Sequence, residues 1–442
     1  MFSRQFRPRI VCAALLVLLP AALAAQQPPA APEPPTAPTE ATPEHVHDVH
    51  QHAESSDPNP MSREGSGTSW LPVASPMYAI HGQTGAWQWM THGNLFVQYL
   101  EDAGLRGQAQ FGSINWLMLM GQRSVGAGRI VVRGMLSAEP LTIRGCGYPD
   151  LLASGEICDG EAIVDRQHPH DAFMELAVSY DRPLLSSVRW QVYGGPAGEP
   201  ALGPVAFPHR PSAMANPLAP IAHHWLDATH VSFGVVTGAV YGKRWKIESS
   251  AFNGREPDED RGNIDLARLD SVSGRLTVSP GDHLALQVSA GRLNDAEAAH
   301  GFEPATDVTR VTASALVQGT AGSAGWWAGT LAWGRNSERG GATHAVLAEG
   351  NVTLDERNTW FGRVEVVGKE AHDLSLHGPR RVFGVAKLQA GYVRTLQPIG
   401  GLQPGLGVSV SSGIVGEPLR TVFGSRVNRG FGVFLSLRPA RH

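Results

Sequence analysis

The sequence predicts an all-β fold, a transmembrane antiparallel up-and-down β-barrel, and three observations carry that prediction. Apolar and polar residues alternate in short bursts from about Trp87 almost to the last residue. The chain opens with an export signal, and the connections between candidate strands alternate between short and long. Val364 and Val366, Trp245 and Ile247, and the run Phe431 to Arg438 each put apolar side chains on one face and charged residues, polar residues or glycine on the other. That is the period of a strand. An exported chain can turn such an apolar face to lipid and its polar face to a lumen. No repeat of 20–50 residues is evident, which disfavours a propeller or a β-helix; a soluble β-sandwich is the remaining alternative.

Residues 1–24 read as a signal peptide. Arg4, Arg7 and Arg9 precede an apolar run from Val11 to Leu23, and Ala22-Leu23-Ala24 supplies the small residues of a cleavage site. The run is short for a membrane anchor, and Cys12 lies within it. Of the 3 cysteines, Cys146 and Cys158 then remain, in a segment with loop chemistry. An exported chain favours their disulfide over thiolate metal ligation. The net charge of −4, with no basic stripe, gives no nucleic-acid partner. The 51 glycines suit tight turns and crowded strands.

Residues 25–68 are rich in Pro, Ala, Glu and Ser and are expected to form a disordered tail. His45, His47, His50 and His52 within it form a metal-binding composition on a flexible segment, or an incidental feature of a solvated linker.

The barrel is expected over 69–442, with about sixteen strands and fourteen or twelve as alternatives. The strands begin near Trp87, Ser113, Gly128, Phe173, Val188, His230, Arg244, Asp265, His283, Val308, Trp326, His344, Thr359, Val382, Leu406 and Gly430. Long loops span 137–172 and 194–229. Short turns at one rim and long loops at the other match periplasmic turns and extracellular loops.

Alternation places Arg129, Arg133, Glu175, Lys246, Glu248, Arg310, Arg363 and Glu365 in the lumen as candidate selectivity residues. Met174 is expected outward, and Leu269 shares a face with polar Ser271, Ser273 and Arg275, which breaks the pattern. Tyr99, Tyr180, Trp245, Trp360 and Tyr392 suit the membrane interfaces. The loop run Phe252 to Arg261, with Arg255 and Glu256, reads as an inward-folded constriction or as a salt-bridged loop.

Three loop blocks concentrate polar side chains, and two of them carry metal donors. His168, His170 and Asp171 lie in the first, and His209, His223, His224, Asp227 and His230 in the second. A ligating histidine commonly passes its second nitrogen to a carboxylate, a role open to the two aspartates. The competing reading is a polar network that locks long loops through backbone hydrogen bonds. Met118, Met120 and Met135 offer soft Cu(I) donors if they face inward, or else fill apolar gaps. No nucleophile elbow and no catalytic triad spacing is present.

The blocks Gln167-His-Pro-His-Asp171, His223-His-Trp-Leu-Asp-Ala-Thr-His230 and Phe252-Asn-Gly-Arg-Glu-Pro-Asp-Glu259 resemble those of an uncharacterised group of outer-membrane β-barrel proteins of Gram-negative bacteria. The resemblance implies a barrel and a link with metal handling, and carries over no catalytic residue.

The expected function is an outer-membrane channel, porin-like and not an enzyme, handling transition-metal ions, copper first, with Zn or Ni as alternatives. Expected partners are outer-membrane lipid and metal ions or small solutes, and a homotrimer by analogy. A general nutrient porin, a plugged structural or adhesive barrel, and an outer-membrane enzyme are the alternatives.

Overall fold

The computed structural model describes residues 59–297, 305–338 and 341–441. The expected signal peptide, residues 1–24, and His45, His47, His50 and His52 lie outside them. The alternating segments form β1 (Ile80–Thr84), β2 (Trp87–Asp102), β3 (Ala109–Val125), β4 (Gly128–Leu136), β5 (Tyr148–Cys158), β6 (Glu161–Gln167), β7 (Phe173–Leu185) and β8 (Val188–Ala197). They continue as β9 (Val235–Tyr241), β10 (Trp245–Phe252), β11 (Ser271–Gly281), β12 (Leu284–Glu297), β13 (Thr306–Ala321) and β14 (Gly325–Glu338). The last are β15 (Gly341–Leu354), β16 (Asn358–Glu370), β17 (Val382–Thr395), β18 (Leu402–Val415) and β19 (Val427–Pro439).

Sixteen of these close an antiparallel barrel. The seam pairs β19 with β2, from Gly430↔Asp102 to Leu437↔Leu95. Below it β1 takes over the same edge of β2, from Ile80↔Thr91 to Thr84↔Trp87. Closure leaves no long edge unpaired, which is what a strand wall needs in lipid. β5 and β6 stand apart as a hairpin inside the loop between β4 and β7.

Connections such as Gly126-Ala127 and Gly242 to Arg244 are short and fall at one rim, while the long loops fall at the other. The first long loop runs over 137–172, between β4 and β7. The second long loop is 198–234, shifted from 194–229, because β8 pairs on as far as Ala197 and His230 sits in a helical turn. Likewise β11 begins at Ser271, so Leu269 belongs to a loop and the face anomaly there disappears.

The outer face is apolar. Leu117, Ile247, Val366 and Leu435 are exposed, while Lys246, Glu248, Arg363 and Glu365 between or beside such residues are buried inside. Met174 departs from expectation. It is buried, because the β4–β7 register shifts between Met135 and Leu136 and turns it inward. Aromatics gather toward the rims: Trp360 meets Tyr392 at 4.7 Å and Tyr180 meets Trp190 at 5.7 Å near the short turns, and Tyr99 meets Phe431 at 6.0 Å near the long loops.

The lumen holds the core. Leu151, Leu152, Ile221, Trp225 and Leu226 from the two long loops pack on Ala345, Leu347, Val367, Val385 and Val415 of the wall. Further down, Phe361 and Phe434 lie over glycines, and a Cβ at Gly391 would stand 2.1 Å from the Phe361 ring. Residues 59–68, which the composition assigned to the tail, also lie inside. Arg133 reaches Glu64 at 3.0 Å, Lys246 donates to the Thr68 carbonyl at 2.8 Å, and the Arg63 guanidinium sits 3.6 Å over Trp70.

Candidate metal centre

The loop 198–234 carries most of the candidate donors, and buried polar contacts hold it against the wall. Arg210 donates to Glu349 on β15 at 2.6 Å and to Asp227 within the loop at 2.6 Å. Arg363 shares Glu349 at 2.9 Å and donates to the Leu218 carbonyl at 2.8 Å. The Ala222 amide donates to Glu365 at 2.9 Å, and Trp225 Nε1 to Thr343 at 2.8 Å. The hairpin β5–β6 is fixed by an ion pair between Asp150 and Lys387, and by the bond from Lys369 to Ser154. The expected disulfide Cys146–Cys158 closes the hairpin, with Cα atoms 5.7 Å apart.

This folding gathers five histidines from two loops. The short helix His223–Leu226 presents His223 and His224, and the helical turn Ala228–His230 presents His230. His168 and His170 follow β6. Ring centroids are separated by 5.1 Å for His223–His230, 5.2 Å for His170–His230, 5.3 Å for His223–His224 and 6.0 Å for His168–His223. Phe207 closes one side, 5.5 Å from His223.

Each ring is anchored through Nδ1. His223 meets Asp227 Oδ1, His230 the Asp227 carbonyl, His170 Glu139 Oε1 and His224 Glu256 Oε1, all at 2.9 Å, and His168 meets the Pro169 carbonyl at 3.2 Å. A carbonyl or carboxylate acceptor requires a proton on Nδ1, so Nε2 of the neutral ring keeps its lone pair. The Nε2 atoms of His223, His224 and His230 are buried without a hydrogen-bond partner. That of His168 lies 3.2 Å from Glu156, whose protonated form burial favours. Among the described residues, no three of these imidazole nitrogens lie within 4.8 Å of one another, so closing on one ion requires the rings to turn. Cys146, Cys158 and Asp159 do meet that distance, but the disulfide removes the thiolates.

Burial disfavours the charged form of His168, His223 and His230. It holds His168 and His230 well below the usual imidazole value, with neighbouring cationic groups adding to the effect, and His223 at about 4 despite its bond to Asp227. His170 is the exception: burial opposes its charge, but Glu139 outweighs burial and raises it. Asp227, although buried, is held down by Arg210 and His223 and stays ionised.

The remaining candidates divide. His209 lies outside the five and packs 4.7 Å from Trp116 and 5.6 Å from His92. Asp171 serves Arg261 at 3.5 Å rather than a histidine. Burial, partly offset by Arg261, pushes its carboxyl up to about 7. Arg255 pairs with Asp270 and Asp295 at 2.9 Å each in a half-exposed loop, the salt-bridged arrangement. Glu256 supports His224. The wall charges are engaged by other protein groups: Arg129 with Asp181 at 2.9 Å, Glu175 with Arg133 at 3.1 Å, Glu248 with Arg275 at 2.9 Å, and Arg310 with Asn336 at 3.0 Å. Sequence reasoning missed Glu139 and His92. Glu139 is 31 residues from His170, and no local pattern marks that contact.

No protein-family model matches the chain, and no curated protein matches it. Solved structures similar to it include an anion-selective porin from Comamonas acidovorans, at 10% identity and TM-score 0.49, covering 80% of this chain and 99% of that one. OmpT of Vibrio cholerae is similar at 8% identity and TM-score 0.47, covering 81% and 100%. The outer-membrane channel DcaP of Acinetobacter baumannii is similar at 9% identity and TM-score 0.47, covering 80% and 98%. The barrel rests on the chain's own strand pairing, with β19 bonded to β2.

Proposed function

We propose that this is a porin-like outer-membrane barrel that handles transition-metal ions, copper first, at the imidazole cluster its long loops build in the lumen. The observation that carries the reading is the common orientation of the five rings, each fixed at Nδ1, with three buried Nε2 atoms lacking partners. Buried polar atoms are normally satisfied, and an orphaned group calls for a role. A ring fixed through its other nitrogen to a carboxylate or carbonyl is the arrangement of a metal-ligating histidine. Neutral imidazoles suit Cu(II), Zn(II) and Ni(II).

The apolar outer face and the closed strand ladder support membrane insertion. In this reading the short turns are periplasmic, the long loops extracellular, and the tail with His45 to His52 lies in the periplasm. Because loops fill the lumen, the barrel is a gated channel rather than an open porin. A homotrimer belongs to the reading by analogy only.

The test is single-channel conductance of the refolded mature protein with and without micromolar Cu(II), beside direct metal binding. Changing His168, His170, His223 and His224 together to Ala is expected to abolish the copper response and lower affinity while keeping the barrel. Wild-type binding and an unchanged response in that variant would defeat the metal reading.

A further inference from the structure

A second feature of the lumen differs from the imidazole cluster in chemistry. Met90, Met118, Met120, Met135 and Met174 are buried together, and Met61 and Met77 of the N-terminal segment pack against them. These are seven of the nine methionines in the chain. The wall sets their order. His92 on β2 stands opposite Met118 on β3, which stands opposite Met135 on β4. The next row toward the short turns pairs Met90 with Met120. Directly opposed residues have Cβ atoms about 5 Å apart, so the side chains of one row meet. Leu117 and Leu119, between the methionines, point outward and are exposed.

Core filling alone does not account for this patch. The other large cluster in the same lumen is built of Leu, Ile, Val, Ala, Phe and Trp, with no methionine. The row also includes an imidazole: His92 Nε2 is buried without a hydrogen-bond partner. His209 lies 5.6 Å from His92, on the turn Phe207–His209 whose Phe207 borders the imidazole cluster. That turn therefore joins the two groups.

We propose that His92, Met118 and Met135, backed by Met90 and Met120, form a second site that takes a soft monovalent cation, Cu(I). Thioethers are soft, uncharged donors that favour Cu(I) over Zn(II) or Ni(II), and one imidazole completes a mixed nitrogen and sulfur set. This deepens the metal-handling reading by naming an oxidation state, and it can fail separately from the imidazole cluster.

The test uses the refolded full chain in detergent, under anaerobic ascorbate, with Cu(I) presented by a chromophoric Cu(I) chelator and Zn(II) titrated separately. The variant Met118→Leu/Met135→Leu keeps side-chain volume close to native, and its heat-modifiable gel shift reports that the barrel has formed. It is expected to lose Cu(I) affinity at least 10-fold, to lose the sulfur shell from the copper K-edge absorption spectrum, and to keep Zn(II) binding within twofold. Unchanged Cu(I) affinity, or wild-type protein whose bound Cu(I) shows no sulfur neighbour, overturns the proposal. Loss of Zn(II) binding in the four-histidine variant, with Cu(I) and its sulfur shell retained, supports two separate sites. Wild-type protein that binds Cu(I) through sulfur but no Zn(II) or Cu(II) supports this site and defeats the imidazole reading.

Discussion

Arg210 and Glu349 form a buried ion pair, 2.6 Å between Nε and Oε1, that bolts the loop 198–234 to the barrel wall. Both side chains are about as buried as any in the molecule, and Arg363 and Asp227 complete the network. Replacing Arg210 by Met leaves Glu349 with one cation and Asp227 without its guanidinium. Breaking a buried pair costs about 3–5 kcal/mol. The variant is expected to keep the barrel's gel shift but to show faster amide exchange and easier protease cleavage across 198–234. Exchange equal to wild type would remove Arg210 from its latching role.

Glu256 holds His224 from a different loop, with Oε1 2.9 Å from Nδ1. Removing such an outer partner typically lowers metal affinity 10–100-fold. Glu256→Ala is therefore expected to weaken Zn(II) binding by about 10-fold or more without unfolding the barrel. Calorimetric titration measures this, and an unchanged constant would mean that His224 is not a ligand.

Glu199 gives a pH signature. Burial, partly offset by Arg275, lifts its carboxyl from 4.5 to about 8. Between those values the folded state holds a proton that the unfolded chain has released. Its contribution to stability is therefore present at acid pH and falls as pH rises toward about 8. The thermal midpoint of the gel shift should decline from acid to alkaline pH, and Glu199→Gln should flatten that decline. Equal slopes in both proteins would refute the assignment.

The disulfide spans a sequence separation of 12. A loop of that size is stabilised by roughly 3 kcal/mol. Cys146→Ser/Cys158→Ser is expected to open the hairpin β5–β6 to protease while the wall stays intact. Resistance equal to wild type would show that the contacts of Asp150 and Ser154 with the wall suffice.

The wall was legible because alternation is local. The sixteen starts were expected to within a few residues at most places, and the exceptions near His230 and Asp265 fall where a long loop ends in apolar residues that imitate a strand. Met174 went wrong because a bulge needs the partner strand to be known. The loop histidines were legible as donors grouped at one rim, but their pairings were not, since residues 55 apart, such as His168 and His223, meet only through the folded loops. The filling of the lumen was not legible either. Leu151, Ile221 and Trp225 are ordinary apolar loop residues until the wall faces them.

The lumen is blocked twice over. Segment 59–79 occupies the half near the short turns, tied down by Arg129 and Arg133, and the long loops occupy the other half. Releasing either one leaves the other in place, so the channel proposed above would be an airlock with a bolt on each door. In that proposed channel, cargo would cross in hand-overs between compartments rather than by free diffusion, and an accidental slip of one bolt would not make the membrane leak.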